Sequence, residues 1–178
     1  YMRVLYARIG IPYSPFTGKP IVSQSVSDMV DKVKVLPKSS TIFLLSPVVR
    51  GRKGEYKKDI LNYKKRGFQK IKVDGEYYDI DDFPNLNKKV KHDISIVVDR
   101  IILNSKLGNR LADSIETALK LSDGLLIAEY ENETIPKKFR KKESITFSSK
   151  FSCPESGFTI EEIEPRLFSF NSPFGACE

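Results

Sequence analysis

The chain has 178 residues, 40% of them hydrophobic, and a formal charge of +7 from 30 Lys and Arg against 23 Asp and Glu. That length suits one domain of ordinary size with a small appendage, and that hydrophobic content excludes a disordered chain. No apolar run approaches the ~18 residues of a membrane span, YMRVLYARIG has no signal-peptide pattern, and the two cysteines favour a reducing, cytoplasmic setting.

In chain order, VLYARIG (4–10) reads as the end of a helix stopped by Gly10 and Pro12. IPYSPFTGKP (11–20) carries three prolines and reads as a linker. In SQSVSDMVDKVKVL (23–36), Val26, Met29, Val30 and Val33 form a helical stripe, and Ser25 with Asp28 resembles a capping box. TIFLLSPVV (41–49) is an apolar, β-rich run expected to be a buried strand. RGRKGE (50–55) reads as a basic glycine loop feeding a helix over 55–67. QKIKVDGEYYDI (69–80) reads as a hairpin turning at Asp74-Gly75, with Lys70 and Lys72 on one face and Ile71 and Val73 on the other.

DISIVVDRIIL (93–103) is the next predicted strand, with Ile94, Ile96 and Val98 alternating against Ser95, Val97 and Asp99. RLADSIETALKL (110–121) is the clearest helix, its apolar face made by Leu111, Ala112, Ile115, Ala118 and Leu119. GLLIAEY (124–130) and SITFSS (144–149) read as strands on either side of a charged excursion, PKKFRKKE (136–143). The succession predicts an α+β fold, a mixed and largely antiparallel sheet with helices packed on it.

Catalytic patterns are missing from this reading. The single histidine, His92, stands between Lys91 and Asp93 and reads as a surface residue. There is no GxSxG, no GxGxxG and no GxxxxGK[ST], so no phosphate cradle is expected. Asp81-Asp82, ahead of Pro84, reads as a solvated turn. For metal, KFSCPESGF (150–158) has the CPxCG shape with Ser156 at the second ligand position, and SPFTG (14–18) has the same shape with no thiol. Zinc wants four ligands, usually from two CxxC pairs, and Cys153 with Cys177 supplies two thiols. What remains is surface charge. Arg50, Arg52 and Lys53 open a basic cluster that continues through Lys57, Lys58, Lys64, Lys65 and Arg66 to Lys70 and Lys72, with Arg100 on the next strand. The helix lysines read as a solvated face. Arginines beside a glycine turn or inside a strand offer planar forks for carboxylate or phosphate.

The stretches LYARIG, SVSDMVDKV, LLSPVVRGRKGEYKK, VDGEYYD, VVDRIIL, RLADSIETALKLSDGL and EPRLFSFNSPFGAC, in that order and spacing, resemble the UvrA family of bacterial nucleotide excision repair. UvrA is an ABC-type ATPase with two nucleotide-binding halves, and the resemblance assigns this chain to the module inserted in the first half, which recruits UvrB. It implies that residues 15–150 form the UvrB-binding domain. Residues 1–14 and 151–178 would be pieces of the ATPase body, the latter opening a degenerate zinc segment. ATP and zinc serve the full-length family members; the Walker and signature loops would lie outside this chain, which is then expected to be no enzyme and to carry no cofactor. The partner implied is UvrB, met through Lys70 and Arg100 first and Arg50, Arg52 and Lys53 second. The alternative is a direct DNA-phosphate-binding module of the same protein. DNA binding through the intact protein, a dimer of the intact protein, a monomer of this chain and no membrane contact complete the expectation.

Overall fold

The computed structural model describes residues 1–103, 107, 109–131, 142–153, 158–160 and 163–172. The backbone falls into two units, Ser25–Phe147 and the flanks Tyr1–Gln24 with Ser148–Glu178. The first is built on six strands: β1 (Thr41–Lys53), β2 (Lys70–Val73), β3 (Glu76–Asp79), β4 (Lys91–Ile102), β5 (Leu125–Glu131) and β6 (Lys142–Ser148). They lie in the order β3-β2-β4-β1-β5-β6, and β1 pairs antiparallel with both β4 and β5, as does β2 with β3 and β4. This is the α+β class expected from the sequence.

Alternation along the central strands sends one set of side chains to the helices. Ile42 and Leu44 of β1, Ile101 of β4, Leu126 and Ala128 of β5 and Phe147 of β6 pack with Met29 and Val33 of α2 (Val26–Lys34). Leu111, Ile115, Ala118 and Leu119 of α4 (Arg110–Leu121) complete that cluster. Further along the same face, Val49, Ile71, Val73, Ile94 and Ile96 enclose Ile60 of α3 (Lys57–Lys65). The α2 stripe starts at a true capping box. Ser25 Oγ accepts the Asp28 N–H at 3.1 Å, and Asp28 Oδ2 accepts the Ser25 N–H at 3.0 Å.

Three local readings change. RGRKGE is not a loop through Lys53: Arg50 to Lys53 continue β1, with Arg52 opposite His92 and Lys53 opposite Lys91. The glycine is absorbed as a bulge, Gly51 taking φ +56° and giving its N–H to Asp93 Oδ1 at 2.7 Å. The simple alternation of 94–99 also breaks. Leu44 pairs with Asp99 but Leu45 with Val97, so Val98 is an extra residue, and beyond it Asp99 and Ile101 continue the helix-facing set. Finally, His92 is buried, 6% exposed, rather than on the surface. The hairpin turn is as expected, with φ of +48° at Asp74 and +96° at Gly75, the left-handed pair of a type I′ turn.

In the flanking unit, α1 (Met2–Ile9) buries none of its residues, and the Tyr6 ring lies 5.9 Å from that of Phe168 in the short 3₁₀ turn Pro165–Phe168. The stretch read as a linker instead closes on itself through an antiparallel bridge between Tyr13 and Pro20. β7 (Phe151–Ser152) pairs with β8 (Thr159–Ile160). Among the described residues no helix is long and apolar enough to cross a membrane.

Candidate docking face

The helices take one face of the six-stranded sheet; among the described residues no helix of that unit packs on the other. The second face is set by the same registers. Lys72 lies opposite Ser95 and Tyr77, Lys70 opposite Asp79, Phe43 opposite Arg100 and Glu129, and Leu45 opposite Val97 and Ile127. Lys70 and Arg100, far apart in sequence, line one cavity of about 460 Å³ on this face, with Phe43, Phe68 and Val97 as its apolar walls. Arg50 and Lys72 line a second cavity of about 270 Å³ with Pro47 and Glu129. Arg52 and Lys53 belong elsewhere, exposed at the far end of β1. Of the five predicted site residues, three therefore gather on one face.

The cations of this face are not equivalent. Lys72 is largely buried and is hydrogen-bonded to Glu129, whose side chain is 11% exposed. Tyr77 donates its hydroxyl to the other Glu129 oxygen at 2.5 Å, and burial together with that bond pushes the phenol well above its ordinary value. Lys72 is thus neutralised within the sheet. Lys70 makes only an exposed pair with Asp79 at 3.6 Å, the kind worth little in water. Arg100 rests on the Phe43 ring, its guanidinium carbon 5.8 Å from the centroid, and Phe43 is in turn 5.4 Å from the Tyr77 ring. Arginine stacked this way loses little hydration and keeps its N–H edge outward.

Asp99 fixes the strand beneath Arg100. It accepts Arg110 Nη2 at 2.8 Å and Nε at 3.1 Å, Ser114 Oγ at 2.7 Å and the Arg100 N–H at 2.8 Å. Burial pushes this carboxyl up, but the bonds from Arg110 and Ser114 outweigh it and hold it below the usual carboxylate range. At the other end of β4, His92 Nδ1 meets Asp74 Oδ2 at 2.7 Å and Nε2 meets the Asn87 carbonyl at 3.0 Å. Both partners are acceptors, so the ring is arranged to be an imidazolium. The bonds to Asp74 and Asn87, against the pull of burial, raise its pKa.

Sequence reasoning missed Phe43, Tyr77 and Glu129. Phe43 was concealed in an apolar run read as wholly buried. The signal available was the acidic Glu129 inside a hydrophobic strand, which alternation places opposite Phe43.

In the flanking unit, residues of the SPFTG stretch meet Cys153 and Phe158. Ser14 Oγ accepts the Phe16 and Thr17 N–H groups, each at 3.4 Å, and Thr17 Oγ1 lies 3.4 Å from Sγ of the buried Cys153. The Phe16 and Phe158 rings touch edge-on at 6.0 Å. Two neutral hydroxyls and one hydrogen-bonded thiol are not the thiolate, imidazole or carboxylate set that zinc takes, so these residues do not fit it. Ser156 and Cys177 lie outside the described residues.

A sequence family described as the UvrA interaction domain matches residues 24–132. UvrABC system protein A of Mesorhizobium japonicum is 58% identical over 188 residues, covering 99% of this chain and 19% of that protein. The proteins of the same description from Rickettsia typhi and Brucella abortus are each 56% identical, again over 99% of this chain and 19% of their own length. The chain thus spans about a fifth of the relatives it matches.

Proposed function

This chain belongs to the UvrA interaction domain family, and from that premise we propose that its helix-free sheet face recruits UvrB to sites of nucleotide excision repair. The observation that carries the proposal is the convergence of Lys70 and Arg100 on one cavity of that face. These are the two residues the family resemblance had singled out. Arg50 joins as a second contact on the same face, while Arg52 and Lys53, exposed at the far end of β1, would contact the partner only outside it. A polar surface of this kind favours rapid association with an acidic partner more than raw affinity. The face also carries Asp79, Glu129 and Glu131 beside its cations, a mixed pattern unsuited to tracking a phosphate backbone. Within the proposal the chain works in the cytoplasm, as a monomer, without catalysis of its own and without a bound cofactor; ATP and zinc belong to the intact protein.

The test is titration calorimetry of the chain against its cognate UvrB, repeated with Arg100→Glu. Saturable one-to-one binding that the charge reversal removes is the expected result. A folded chain that shows no heat with UvrB overturns the proposal.

A further inference from the structure

β2 pairs with β4 only from Val73↔Ile94 to Ile71↔Ile96, while β4 continues along β1 as far as Ile102. Beyond Ile96 the two chains separate, and the Val98 bulge widens the gap. The cavity bounded by Phe43, Phe68, Lys70 and Arg100 is that gap. Its walls are aromatic and branched apolar, and its rim is cationic. Its lining cations are Lys70 and Arg100, and Arg100 lies on Phe43. The carboxylate lining the gap, Asp99, already serves Arg110, Ser114 and the Arg100 N–H, and Asp79 meets Lys70 only in an exposed pair at 3.6 Å. Asp99 thus has little left for the Arg100 guanidinium, and an exposed pair such as Lys70–Asp79 is readily exchanged.

Resting on the docking reading above, we propose that this gap is a socket for two side chains of the partner, an acidic residue and an apolar one beside it. At 460 Å³ the socket lies within the ~300–1,000 Å³ of pockets that hold a multi-atom ligand, so a carboxylate at the rim alone would leave it unfilled. Stacking holds Arg100 with its donors outward to take that carboxylate, and Lys70 lines the same cavity as a second cation. Phe43 and Phe68 then bury the neighbouring apolar side chain. A phosphate has no apolar part and would leave these walls wet. Buried apolar anchors ringed by polar contacts are where interface energy concentrates.

The experiment is calorimetry of the chain with UvrB at several temperatures, using the wild type, Phe43→Ala, Phe43→Leu and Arg100→Glu, with folding checked by circular dichroism. The socket predicts a distinctly negative heat-capacity change, about tenfold weaker binding for Phe43→Ala and near-normal binding for Phe43→Leu. Wild-type affinity in Phe43→Ala, with Arg100→Glu inactive, overturns the socket and leaves the charged docking face standing. Failure of the wild type to bind overturns the docking reading itself. If Phe43→Ala does not fold, the heat-capacity change decides alone, and a value near zero overturns the socket.

Discussion

Asp99 and Arg110 are joined by two near-parallel hydrogen bonds, Nη2 to Oδ1 at 2.8 Å and Nε to Oδ2 at 3.1 Å. With Ser114 on the same carboxylate they tie β4 to α4. Because neighbouring residues of a strand point to opposite faces, this anchor sets where Arg100 stands on the docking face.

Asp99→Asn removes the charge from that anchor and should cost about 2 kcal/mol, the scale of a hydrogen-bond pair to an ion. The folded Asp99 carboxyl titrates below its unfolded value of ~3.9. Its contribution is therefore present above that pH and is lost as pH falls through the folded value. Urea unfolding between pH 3 and 7 should show the gap between wild type and Asp99→Asn closing on the acid side. A gap constant with pH would mean the carboxylate's charge is irrelevant.

How much of this was legible in the sequence depended on the range of the interaction. The Ser25–Asp28 capping box, the type I′ turn at Asp74-Gly75 and the apolar stripe of α4 are local, and they stood in the sequence as they stand in the fold. The three register shifts of the β1–β4 pair were not, because a bulge is defined by the partner strand. The same holds for the face. Lys70 and Arg100 were named from family likeness, but Phe43 beneath Arg100 follows only from the β1–β4 register.

His92 was misread because its partners, Asp74 and Asn87, come from a turn and a loop that no periodicity links to it. As a ring with two acceptors it should be charged when folded, with a pKa raised above its unfolded value near ~6.5. Its stabilisation is then complete below pH ~6.5 and disappears as pH rises through the higher folded value. His92→Gln should be clearly less stable than wild type at pH 6 and nearly equal to it at pH 9. Ring-proton NMR titration of His92 to an ordinary or depressed pKa would contradict this.

Lys72 and Lys70 share a strand face yet should behave oppositely. Lys70→Ala breaks an exposed pair and should change stability by less than ~0.5 kcal/mol. Lys72→Ala leaves the Glu129 carboxylate in a largely buried site with only the Tyr77 hydroxyl and should cost about 2 kcal/mol or more. Lys72→Met combined with Glu129→Leu and Tyr77→Phe should recover most of that loss, since the whole network is then replaced rather than broken. Equal destabilisation by the two single lysine variants would show the Lys72–Glu129 contact to be as solvated as the other.

The Thr17–Cys153 contact leads to a metal prediction. Where the Thr17 hydroxyl and the Cys153 thiol are joined by a hydrogen bond, chelation has nothing to remove. Dialysis against EDTA should leave the melting temperature unchanged, and metal analysis of the untreated chain should find zinc well below one per molecule. Thr17→Val keeps the size of the side chain and deletes its hydroxyl, so it should cost about 1 kcal/mol, as for one neutral hydrogen bond. Cys153→Ala removes a buried sulfur as well and should cost at least as much. A melting temperature that drops on chelation and returns with zinc would require thiolate ligands at this joint, and the hydrogen-bonded account of Ser14, Thr17 and Cys153 would then be wrong.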